Sequence, residues 1–267
     1  MPMIQIQGSV VSPLGGSDMT RVLILGGTTE ASHIARELAG AGVTGVFSYA
    51  GRTASPIAQP LPIRIGGFGG IEGLAEFLRQ QRITHVIDAT HPFAAQISAN
   101  AVAACAQTGT PLIAYAREPW VAGPADHWRH VRTVAEAAAA LPDSPARIFL
   151  AIGKQHLGPF AVRPQHFYLL RLVDAPVAAL PLPNAEIVLA RGPFTVDGDL
   201  ALLRHYGITH VVARNAGGEG AKAKLEVARA LGLPVIMIDR PYLPARGSAQ
   251  SIEEIMRWLD QSACLGV

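Results

Sequence analysis

Short apolar runs alternate with alanine-rich stretches of helical period along most of the chain. In the first half the runs predict strands near 21–26, 45–49, 61–65, 84–88 and 111–115. Between them the pattern predicts helices near 29–40, 71–81 and 94–108. In the first of these helices Ile34 and Leu38 fall at helical spacing with Ala31, Ala35 and Ala39, and Gly40 and Gly42 mark its end. The pattern breaks at Arg117-Glu118-Pro119-Trp120-Val121-Ala122-Gly123-Pro124, where Pro and Gly cluster. It resumes with strands near 129–131, 147–151, 166–171, 186–190, 209–213 and 234–238, and helices near 133–141, 196–206, 222–231 and 251–261. No repeat of fixed period stands out.

Such alternation predicts an α/β chain: two Rossmann-like domains with mainly parallel sheets and a cleft between them. The expected division is a flexible extension over 1–20, a first domain over 21–118 and a second over 119–267. Met19 stands where a natural start would precede the first strand.

Composition narrows the class. Of 267 residues, 49% are hydrophobic and 16% charged, so a sizeable core is expected. A formal charge of +2 argues against a nucleic-acid partner and suits an anionic small ligand. No apolar stretch approaches the roughly 18 residues of a membrane span. Residues 1–20 lack a basic region followed by an apolar core, which argues against a secretory signal. Cys105 and Cys264 lack metal-ligand spacing and read as reduced thiols of a cytoplasmic protein. The nine histidines are scattered, so no metal site is expected.

Three turns directly follow apolar runs. Gly26-Gly27-Thr28-Thr29 opens the first predicted helix. Gly26, Thr28 and Ala31 align with a dinucleotide fingerprint whose middle glycine has become threonine. Helix amides and the two hydroxyls suit a pyrophosphate; a plain strand–helix turn with a capping threonine would carry the same residues. The second turn, Ser48-Tyr49-Ala50-Gly51-Arg52, supplies Ser48, Gly51 and Arg52 where an NAD site places an acidic residue about 20 residues past the glycines. A guanidinium grips a 2′-phosphate that a carboxylate would repel, so NADP is favoured. Gly66-Gly67-Phe68-Gly69-Gly70 allows close backbone approach to a ligand, and Gly67, Phe68 and Gly69 join the expected cofactor set.

At the third turn, Asp88-Ala89-Thr90-His91-Pro92-Phe93, a nicotinamide ring is expected against Asp88, Thr90, His91 and Pro92. Pro92 holds His91 extended, making His91 a candidate catalytic group. Cations recur after strand ends of the second half: Lys154, Arg171, Arg191, and Lys222 and Lys224 behind Asn215. They point to a substrate with several carboxylates.

The stretches LILGGTTEA, SYAGRT, IGGFGG, VIDATHPFAAQISANA, IGKQHLGPF, ARGPF and NAGGEGAKAKLEVARALGLP resemble, in order, the motifs of the precorrin-6A reductase family across residues 21 to 242. DATHPFA followed by ISANA is the most specific part. The resemblance implies an NADPH-dependent oxidoreductase that reduces one carbon–carbon double bond, between carbons 18 and 19, of precorrin-6A to give precorrin-6B in cobalamin biosynthesis. It implies that Gly26, Gly27, Thr28 and Thr29 hold pyrophosphate and Ser48 and Arg52 the 2′-phosphate. Phe93, Lys154, Arg171, Arg191, Asn215 and Lys224 would meet the acidic tetrapyrrole. Transient contact with neighbouring pathway enzymes is also expected. One departure is Ala221, where the family pattern carries a threonine before the lysine kept at Lys224. His91, Lys224 or ordered water would supply the proton. An NADP-binding regulator or scaffold without turnover is the alternative, although it has no use for the second set of cations. A short-chain dehydrogenase would need a Tyr-x-x-x-Lys pair that is missing where it should fall.

Overall fold

The computed structural model describes residues 20–51, 57–176 and 178–264. Arg52 and residues 1–19 of the expected extension lie outside them. Strand β1 (Arg21–Leu25) is buried beyond its first residue, as a central parallel strand covered on both faces must be. Its side chains alternate between faces. Val22 and Ile24 pack with Ile34 and Leu38 of α1 (Thr29–Gly40), while Leu23 and Leu25 pack with Leu74 and Leu78 of α2 (Gly70–Gln80). The first sheet also contains β2 (Thr44–Tyr49), β3 (Ile63–Ile65), β4 (His85–Asp88) and β5 (Leu112–Tyr115), with α3 (Ala95–Thr108) before β5.

The second half provides β6 (Trp128–Val131), α4 (Val134–Ala139), β7 (Arg147–Ala151), β8 (Phe167–Leu172), β9 (Ala185–Leu189), α5 (Val196–His205), β10 (His210–Arg214), α6 (Ala223–Ala230) and β11 (Val235–Ile238). Beyond it come β12 (Gly247–Ala249) and α7 (Ile252–Cys264). Among the described residues the strands form two six-stranded sheets, ordered β12-β5-β4-β1-β2-β3 and β6-β11-β10-β7-β8-β9. Every strand pair is parallel. The expected α/β class with mainly parallel sheets is borne out, and the sequence placed every strand but β12.

Both sheets share one plan. β1 has β2 and β3 on one side and β4 and β5 on the other; β7 has β8 and β9, then β10 and β11. The sixth position is taken by β12 in the first sheet and by β6 in the second. The strand completing the first sheet therefore comes after the whole second sheet in the chain. Accordingly one compact unit runs to Ala116 and resumes at Tyr242, and the other is Arg117–Pro241. This corrects the expected second domain of 119–267: its last segment belongs to the first unit. Gly-Ser-Ala carries no strand signal, and an amphipathic helix does not declare which sheet it covers.

Packing makes the assignment physical. Ile255 and Leu259 of α7 are buried in the same core as Ile34 and Leu38 of α1. An Ile255→Ala variant should lose about 2–5 kcal/mol of stability, read by urea unfolding. A loss within the roughly 0.5 kcal/mol of a surface substitution would mean that α7 is not part of that core.

Candidate active site

Strand register gathers the turns of the first unit at one level. Leu25 faces Ser48 and Asp88 on its two sides, and Ser48 faces Arg64. The Gly26 N–H donates to the Ser48 carbonyl at 2.9 Å. A β-carbon on Gly26 would lie 2.2 Å from the Phe47 ring, so packing demands glycine there. Gly27 has φ +118°, a conformation that side chains resist, and a β-carbon on it would meet nothing within 4 Å. The turn thus has an open face directly before the N-terminus of the twelve-residue α1. Open space beside unpaired helix amides fits a pyrophosphate. Thr28 is the cap: its hydroxyl accepts from Ala31 N–H at 3.1 Å and donates to the Ala89 carbonyl at 2.8 Å. Its hydroxyl is thereby spent, and the exposed Thr29 is the threonine left to face a ligand.

The Asp88 turn is held from two directions. Asp88 Oδ1 accepts from Thr90 N–H at 3.2 Å and Thr90 Oγ1 at 2.7 Å, and Thr90 Oγ1 lies 3.3 Å from Ser98 Oγ. Asp88 Oδ2 faces Arg246 Nη2 at 3.3 Å, with the carboxylate side chain 1% exposed. Arg246 stands just before β12 and was not singled out from the sequence, because its partner lies 158 positions away. Burial, with the Asp88 charge nearby, raises the Cys105 thiol to about 12, so it is a poor nucleophile. His91 is exposed; its Nδ1 accepts from Phe93 N–H at 3.2 Å, and Phe93 itself is half-buried.

Arg64 is a second omission of the sequence reading. It donates to Ser48 Oγ at 3.3 Å and to the carbonyls of Gly66 and Gly67 at 2.5 and 2.6 Å. Its guanidinium lies 3.7 Å from the Phe68 ring centroid. The expected cofactor residues Ser48, Gly67 and Phe68 thus share one arginine. Gly51 and Gly69 take positive φ angles of 75° and 84°, which bend the chain at either end of this group.

In the second unit Arg171, Asn215 and Lys224 converge, each held by contacts within the unit. Arg171 forms a buried two-pronged pair with Asp199 of α5 and lies 3.6 Å from the Phe194 ring centroid. Its charge is answered within the unit by Asp199. Asn215 accepts from Trp120 N–H at 2.7 Å and donates to the Trp120 carbonyl at 2.9 Å. The carboxamide thus ties Asn215 to the Trp120 backbone. Lys224 is 4% exposed, donates to the Ala221 carbonyl and lies 4.7 Å over the Trp120 ring. Burial lowers its ammonium to about 7, with Arg171 lowering it further and Asp199 opposing. Lys154 and Arg191 are exposed. Asp199 escaped the sequence reading because acids are ordinary in the first turn of a helix.

Residues 21–260 match the family described as precorrin-6x reductase CbiJ/CobK. The chain belongs to the precorrin-6x reductase family. A precorrin-6A reductase of Rhodobacter capsulatus is 65% identical over 241 residues, covering 90% of this chain and 96% of that protein. Another from a Sinorhizobium species is 48% identical over 244 residues, covering 90% and 94%. The solved structure of CobK precorrin-6A reductase is similar with a TM-score of 0.88 at 64% identity, covering 91% of this chain and 97% of that one. The family resemblance read from the motifs is borne out.

In this precorrin-6x reductase chain the pair between Asp88 and Arg246 has an energetic consequence. Removing the arginine leaves a buried carboxylate uncompensated, which costs about 3–5 kcal/mol for a fully buried pair. Arg246→Met should approach that loss in urea unfolding, with Asp88→Asn added to it recovering part. Additive losses would show that the two side chains are not coupled.

Proposed function

We propose that the chain reduces one carbon–carbon double bond of precorrin-6A with NADPH as the reductant. The observation that carries this reading is the near-full-length likeness to proteins named precorrin-6A reductase, one of them 65% identical. The open Gly26–Gly27 turn before α1 supports a dinucleotide on the first unit. Preference for NADPH rests on Ser48 and Arg52 standing after β2 with no carboxylate in that stretch. The nicotinamide, when bound, supplies the hydride.

The chain's own residues would hold and orient both molecules, since most of the acceleration in such a transfer comes from placing the reacting carbons. Gly27, Thr29 and the first amides of α1 would receive the pyrophosphate. Thr90, fixed by Asp88, would keep the His91-Pro92-Phe93 turn beside the nicotinamide. On the second unit the exposed Lys154 and Arg191 would meet carboxylate arms of the tetrapyrrole. Lys224 or His91 would deliver the proton to the carbon beside the one that takes the hydride. With its ammonium lowered to about 7, Lys224 is divided between its protonated and neutral forms near neutral pH. A regulator without turnover would have no use for such a group.

Consumption of NADPH with precorrin-6A, followed through the change in absorbance, tests the reaction; no consumption would reject it. Arg52→Glu should raise the KM for NADPH far more than that for NADH, and equal effects would remove Arg52 from the 2′-phosphate site. If Lys224 is the proton donor, its protonated fraction falls as pH rises through about 7, so kcat/KM should fall over the same range. Lys224→Met should be slower and should lack that limb. A variant that keeps it would assign the proton to another group.

A further inference from the structure

Among the described residues Arg64 forms no salt bridge with a carboxylate, unlike several other arginines of the chain. Arg171 faces Asp199, Arg246 faces Asp88, Arg229 faces Asp126 and Arg163 faces Asp143. Arg64 is surrounded instead by two carbonyls, one hydroxyl and two rings: Gly66, Gly67, Ser48, Phe68 at 3.7 Å and Phe77 at 5.3 Å. Partial burial without a counter-charge lowers its pKa, by desolvation. A guanidinium does not lose its proton to escape that cost; the three hydrogen bonds and the rings offset part of it, and an incoming anion would supply the missing counter-charge.

The location selects the anion. Arg64 is paired in register with Ser48 at the carboxyl end of β2, the strand whose end meets the adenosine ribose in this type of sheet. Three of the five N–H donors of a guanidinium are spent on Ser48, Gly66 and Gly67. These bonds fix the plane of the group before any ligand arrives and leave donors for a phosphate oxygen. The ring of Phe68 backs it, so little side-chain freedom remains to be lost on binding.

We propose that Arg64 is a specificity-determining residue that reads the 2′-phosphate of the dinucleotide. This rests on the NADPH reading above and adds a residue to it. It also explains why the Gly66–Gly70 turn belongs to the cofactor site: its carbonyls aim the arginine.

Isothermal titration with 2′,5′-ADP and 5′-ADP, which differ by the phosphate in question, tests this. The wild-type chain should prefer 2′,5′-ADP, and Arg64→Gln should lower affinity for it about 10- to 100-fold while changing 5′-ADP little, as for loss of one charge-assisted contact. Arg64→Lys keeps the charge and should retain part of the preference, giving a second reading if Arg64→Gln folds poorly. Equal losses for both nucleotides would make Arg64 a support of the turn and overturn the proposal. So would a preference that survives Arg64→Gln. A wild-type chain that does not distinguish the two nucleotides would instead bring down the NADPH reading itself.

Discussion

The carboxylate of Asp88 is buried at the end of the central strand β4, and the turn after it takes its shape from how that charge is held. One oxygen binds both Thr90 donors and sets the backbone leading to His91; the other faces Arg246. A buried carboxylate is tolerated when its lone pairs and charge are both answered. Here hydrogen bonds answer one oxygen and a guanidinium from the far end of the chain answers the other. That arginine arrives because β12 pairs with β5, with Ser248 level with Ala114 and Ala114 level with Asp88. A local turn and a distant strand are thus parts of one device.

The second unit treats its buried cations by a different chemistry. Arginine keeps its proton in a protein, so Arg171 is stable in the interior because Asp199 neutralises it and the Phe194 ring covers it. Lysine has another way out: burial pulls Lys224 toward its neutral amine. The two side chains feel each other, and the outcome is one permanent charge paired with a carboxylate and one group whose ammonium is lowered to about 7.

Much of the fold was legible because parallel strands write long apolar runs and their helices write a repeat of another period. β1, β4, β7, β10 and β11 are each such runs, and the Gly and Pro turns between elements mark their ends. The turns of the cofactor side were legible for a local reason. Gly27 must adopt a positive φ, and Thr28 caps the helix that begins beside it, so both residue types answer to immediate neighbours. β12 and the membership of α7 were illegible. A three-residue strand has no period, and which sheet an edge joins is a matter of long-range pairing.

Taken alone, the chain's order of residues determined its class, nearly all of its elements, its family and the turns offered to a dinucleotide. All of these depend on contacts within a few residues or on motifs read in a row. Tertiary structure alone decided that the last segment completes the first sheet, that Arg246 meets Asp88, that Arg64 stands beside Ser48 and that Arg171 pairs with Asp199. A charge's role depends on which opposite charge is folded against it and how much water remains. Neither quantity is carried by a residue's neighbours in sequence.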